Sequence, residues 1–236
     1  MGSNCSCAGR EIKEKLSKEE QILQCTELLL GLSEVNAFHY DKDIARYALN
    51  RHLDDRLLRR AYESMGLDTK FLEDKESLIY KFYDSLVTNR LDGYDIKTLA
   101  CLGILLGKGE IYKKAELLFK NYDRDCSNEL DVNEGFVMFN DMMQITFGLI
   151  ELAKFKYPKK QNMLTNYARK LKESRKNSWT YIQMLLFQGG LVEKLSIKEF
   201  IGAFEDQTVK QLCSAAGLRR ILLEIEGIAT KNNKDI

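Results

Sequence analysis

The chain has 236 residues with 36 Lys+Arg against 35 Asp+Glu, so a net charge of +1 gives no general attraction to nucleic acid or anionic lipid. Hydrophobic residues at 44% and charged residues at 30% are globular proportions and exclude wholesale disorder. One proline, Pro158, and 15 glycines are too few turn residues for a sandwich or barrel, so an all-α chain of one domain or two small lobes is expected.

Residues 1–10 are small and polar, carry no helical stripe, and read as a flexible tail. Met1-Gly2-Ser3-Asn4-Cys5-Ser6 fits the N-myristoylation pattern, which needs the Gly2 amine and a small residue at Ser6. One myristoyl chain holds a membrane only marginally, so a second signal is required. Arg10, Lys13, Lys15 and Lys18 are balanced by Glu11, Glu14, Glu19 and Glu20, leaving palmitate on Cys5 or Cys7 as the expected partner signal. There is no secretory segment, and the best apolar run, Leu99 to Leu106, falls short of the ~20 residues of a membrane span. A cytosolic chain with reduced thiols follows. Cys25, Cys101, Cys126 and Cys213 are scattered singly and there is no C-x-x-C pair, so a zinc site is not supported.

From Glu11 onward the pattern is helical. Stripes run through Ile22, Leu23, Leu28, Leu29, Leu30 and Leu32, then Leu57, Leu58, Ala61 and Tyr62. Further stripes are Leu78, Ile79, Phe82 and Leu86; Leu99, Leu102, Leu105 and Leu106; and Ile111, Ala115, Leu118, Phe119 and Tyr122. Phe136, Phe139 and Met143, then Trp179, Ile182 and Leu186, then Phe200 and Phe204 complete the series. Each is expected to be the core face of a short helix. Between 151 and 180 nine basic residues stand against Glu151 and Glu173, and the segment reads as an exposed basic insert, either solvated or anion-binding.

Asp123 to Glu134 carries the clearest chemistry. Oxygen side chains fall at positions 1, 3, 5, 9 and 12 of the loop: Asp123, Asp125, Ser127, Asp131 and Glu134. Calcium is a hard cation taking six to eight oxygens, and a 12-residue loop supplies them from alternate residues, a carbonyl at position 7 and a bidentate carboxylate at 12. Glu129 would give the carbonyl, and Leu130 at position 8 would point inward. Asn128 stands at position 6, where glycine is expected; it is the non-glycine residue that best tolerates the positive φ required there. Emptied loops of the same length occur at Val87 to Thr98, at Gln188 to Glu199, and more weakly at Arg46 to Leu57 with Leu53 at the apolar position. One calcium per chain is expected.

The stretch from about Arg59 to Leu222 resembles the calaxin and neuronal calcium sensor branch of EF-hand proteins. The resemblance is carried by Met65–Asp68, Glu76–Asp84, Leu106–Asp125 and Leu195–Phe200. It implies a two-lobed helical calcium sensor without enzymatic activity, its facing loops paired through position 8, here Leu130 with Leu195. On this reading residues 11–108 form a lobe of degenerate hands. Residues 109–236 form a lobe with the intact hand at 123–134, the insert at 151–180 and a degenerate hand at 188–199. Calcium would swing the helix after Glu134 and expose a groove for a partner helix, with Phe136, Phe139, Met142 and Met143 either lining it or packed in the core. The location expected is the cytosolic face of a membrane, ciliary or plasma membrane, reached through the lipid anchor. The alternative is an axonemal adaptor of dynein without membrane anchoring. No nucleotide loop or nucleophile–base pair argues for an enzyme.

Overall fold

The computed structural model describes residues 16–87 and 93–232. Among these the chain is mostly helical, with two small antiparallel strand pairs. Its helices are α1 (Lys18–Leu28), α2 (Ala37–Tyr47), α3 (Asp55–Ser64), α4 (Leu78–Asp84), α5 (Ile96–Leu106), α6 (Ile111–Tyr122), α7 (Val132–Lys156), α8 (Gln161–Leu186), α9 (Ile197–Ala203), α10 (Gln207–Lys210) and α11 (Ala215–Asn232). The strands are β1 (His52–Leu53), β2 (Tyr94–Asp95), β3 (Glu129–Asp131) and β4 (Lys194–Ser196), with β1 paired to β2 and β3 to β4.

A local rule recurs four times. Leu53 faces Tyr94 across one strand pair, and Leu130 faces Leu195 across the other. All four side chains are buried. The next residue in each case, Asp54, Asp95, Asp131 or Ser196, turns its oxygen onto a backbone N–H of the helix that follows. An apolar residue thus fixes the strand register, and its polar neighbour satisfies the orphan donors of the helix start. At Asp131 and Ser196 a Glu three residues on, Glu134 or Glu199, returns the bond to the cap's own N–H and closes a capping box.

The buried side chains form one continuous cluster from Leu23 to Ile225. Residue 108, the expected lobe boundary, is stitched to the start of α2: Ala37 N–H donates to the Lys108 carbonyl at 2.7 Å and Lys108 N–H to the Val35 carbonyl at 2.8 Å. Close approach of α2 and α5 is possible because Gly103 lies under the Tyr40 ring. The α7 helix is the hub of the molecule, packed by α1, α4, α5, α6, α8 and α11. It is long and apolar enough to cross a membrane, by length and composition only, but more than half of its most apolar stretch is buried inside the protein.

Three sequence expectations are corrected. The segment 151–180 is not an exposed insert: it is the end of α7 and most of α8, an antiparallel hairpin turning at Pro158–Lys160. Leu164, Tyr167, Ala168, Leu171, Ser174 and Ser178 are buried there, while its lysines and arginines other than Lys154 stand exposed. Second, α1 is not confined to contacts within residues 11–108. It packs on α7 and α8, and its Glu20 and Glu27 both reach Arg219 of α11. Third, Leu28 and Leu29 of the first stripe are exposed, at 60% and 39%.

Candidate metal centre

The loop from Asp123 to Glu134 joins α6 to α7, and its backbone supplies the turn that the sequence demanded. Asn128 has φ of 61°. Cys126 at position 4 has φ of 56°, a second left-handed residue that the sequence reading does not anticipate. The reversal is held by the carboxylates of the loop. Ser127 N–H donates to Asp123 Oδ1 and to Asp125 Oδ1, each at 3.0 Å, and Asn128 N–H donates to Asp123 Oδ2 at 3.0 Å. From the far end, Glu134 Oε1 accepts from Arg124 N–H at 2.8 Å and Oε2 from Asp131 N–H at 3.1 Å.

These bonds draw Asp123, Asp125 and Glu134 together, with a carboxylate oxygen of each within 4.8 Å of the others. Among the described residues no second group of this kind occurs. Ser127 Oγ donates to the Glu129 carbonyl at 3.0 Å, so the oxygens of positions 5 and 7 are also adjacent. Asp131 is engaged by the first turn of α7, its Oδ1 accepting from Glu134 N–H at 2.8 Å. The Glu129 side chain points instead to Lys194 of the paired strand, 3.4 Å away, leaving its carbonyl oxygen to face the loop. Hydrogen bonds from Ser127 hold the Asp125 carboxyl below its ordinary range. Three carboxylates in one small volume, with only hard oxygen donors around them, fit a divalent hard cation. The Cys126 thiol is exposed and lies at a position that contributes no donor.

A scan against protein-family models, curated proteins and solved structures finds no match.

Among the described residues the other loops lack this chemistry. At 188–199, Gln188, Gly189 and Gly190 take positive φ in succession, and Glu199 accepts from both the N–H and the Oγ of Ser196. At 46–57 the turn is made by Asn50 and Arg51, both at positive φ, and no carboxylate stands at the first position, Arg46. The 87–98 loop lies partly outside the described residues, as do Gly2, Cys5 and Cys7.

The residues named as groove lining are mostly packed in this structure. Phe139, Met142 and Met143 are buried core, and only Phe136 is exposed, at 44%. Phe136 and Phe139 both meet the Trp179 ring of α8, with centroids 5.5 and 5.8 Å away. Gly135 leaves the room for this contact; a Cβ there would lie 3.2 Å from both Phe187 and Trp179. The single tryptophan of the chain therefore rests on the first turn of the helix that leaves the loop.

A second cluster ties that helix to its neighbours. Asp141 Oδ2 accepts from the Tyr122 hydroxyl at 2.8 Å and from Thr98 Oγ1 at 3.3 Å. Tyr122 immediately precedes Asp123, so the entering helix, the leaving helix and α5 share one hydrogen-bonded carboxyl.

Proposed function

We propose that this chain is a calcium-binding EF-hand adaptor: two pairs of hand-like units, with one loaded site at Asp123, Asp125, Ser127, the Glu129 carbonyl, Asp131 and Glu134. The observation that carries the reading is the convergence of the Asp123, Asp125 and Glu134 carboxylates within a 12-residue loop between two helices. The fourfold repeat of a buried strand residue followed by a helix cap supports the pairing of four such units, three of them emptied. Acylation of Gly2, with palmitate on Cys5 or Cys7, would hold the adaptor at the cytosolic face of a membrane, where it binds a partner protein.

Because α7 is the central helix, calcium acts by fixing the α6–α7 junction and presenting a preformed surface, rather than by opening the core. Isothermal titration calorimetry tests this: one calcium per chain is expected, with a change in Trp179 emission as the site fills. Glu134→Gln should abolish both, since it removes the bidentate charge. Unchanged binding by that variant, or two sites of similar affinity, would overturn the assignment. Intact mass of the native protein tests the acylation separately.

A further inference from the structure

The turn between α7 and α8 presents a feature that the calcium site does not use. Phe155 at the end of α7 is 67% exposed, one of the most exposed large apolar residues among those described. It is followed by Lys156, Tyr157, Pro158, Lys159 and Lys160, of which all but the half-buried Tyr157 are exposed. Between 152 and 172 there are seven basic residues and no acidic one, in a chain whose net charge is only +1. The nearest acid before it, Glu151, is already tied to Lys154 at 2.8 Å. Along α8 the basic run continues with Arg169, Lys170 and Lys172, all exposed, Arg169 being paired with Glu173 at 2.8 Å. A rise of 1.5 Å per residue places this tip about 30 Å along α7 from Glu134.

We infer that the α7–α8 tip is a docking surface for an anionic lipid bilayer. An exposed aromatic ring flanked by lysines matches the layering of a membrane surface. The ring enters the boundary between headgroups and acyl chains, while the long lysine stems keep their ammonium groups among the lipid phosphates. Each lysine near an anionic leaflet adds attraction, and no acid in the segment opposes it. An acidic protein surface would satisfy the lysines but would give the exposed Phe155 no apolar layer to enter.

The contact is independent of calcium and of acylation, so it is measured on the full chain carrying Gly2→Ala, in EGTA. Co-sedimentation is compared for vesicles of phosphatidylcholine alone and with phosphatidylserine added. Binding to the anionic vesicles is expected, weakened by high salt. Replacing Lys156, Lys159 and Lys160 together with Gln should lower the affinity by about 100-fold. Phe155→Ser should lower it severalfold, and the loss should persist at high salt, where the electrostatic part is screened. Lys113 and Lys120 on α6, both paired with Glu116, are control positions whose replacement by Gln should leave binding unchanged. All these side chains are exposed, so circular dichroism should show unaltered helix content. Equal binding to both vesicle types, or wild-type binding by the triple-lysine variant, would overturn the inference. So would retention on polyglutamate beads that does not require Phe155, which would make the tip an acidic-protein site.

Discussion

At the scale of single residues, Asn128 and Asp141 have opposite relations to the loop. Asn128 sits at φ 61°, where glycine would rest without strain, and its own side chain is exposed. Asn128→Gly should therefore bind calcium at least as tightly as the wild type in calorimetry; a large loss would reveal a role for the amide. Asp141 is held in the junction of α5, α6 and α7, and burial raises its carboxyl from the ordinary value of 3.8. The folded state therefore holds this proton more tightly than the unfolded chain. The stability gained is fully present below pH 3.8 and is lost as the pH rises through the folded value. Asp141→Asn keeps an acceptor for Tyr122 and Thr98 without the charge. Urea unfolding across pH should find the variant at least as stable as the wild type at neutral pH, with the difference closing on acidification.

At the scale of elements, two glycines on helices predict opposite outcomes. A Cβ on Gly103 would lie 2.1 Å from Tyr40 Cδ1. That ring cannot retreat, because its hydroxyl is bonded to Tyr62 at 2.9 Å and Tyr62 to Tyr83 at 2.8 Å, all three buried. Overpacking of about 1–3 kcal/mol should exceed the about 1 kcal/mol that alanine gains in helix propensity, so Gly103→Ala should lower stability. Gly202 on α9 has nothing within 4 Å of its Cβ position, and Gly202→Ala should raise stability by about 0.5–1 kcal/mol. Thermal melts of the two variants check the pair. The same packing explains what could be read from the sequence. The 123–134 loop was legible because its ligand spacing is local, whereas the Leu130–Leu195 pairing, between residues far apart in the chain, was implied only by the family resemblance. The part of α8 before Trp179 was not legible: Ser174 and Ser178 continue its buried stripe with small polar residues, and its many lysines look like a solvated linker. The α2 helix carries Asn36 as a cap and Ala37, Tyr40 and Ile44 on one face, a signal that was present and is absent from the stripes read above. Phe139, Met142 and Met143 lie on α7, which α1, α8 and α11 cover from distant parts of the chain, and such packing leaves no mark on the local pattern.

At the scale of the whole molecule, one buried cation closes the fold. Arg219 is fully buried; its Nε and one terminal nitrogen reach the two oxygens of Glu20 at 2.8 Å each, and Glu27 lies 2.8 Å from the same terminal nitrogen. Tyr167 of α8 also donates to Glu20. Burial works against the guanidinium charge, but the hydrogen bonds and charges of Glu20 and Glu27 outweigh it. Arg219→Met would leave two largely buried carboxylates without their cation, at a cost of about 3–5 kcal/mol. Urea denaturation should show the loss, and adding Glu20→Gln and Glu27→Gln should recover part of it, because the unpaired charge is the damaging element. The 199 positions between Glu20 and Arg219 also give this contact an order in time. At about 5–20 residues per second on a ribosome, α1 emerges roughly 10–40 s before the arginine that receives it. Through that interval its two carboxylates lack the cation that receives them, so α1 is made early and is one of the last of the described helices to find its place.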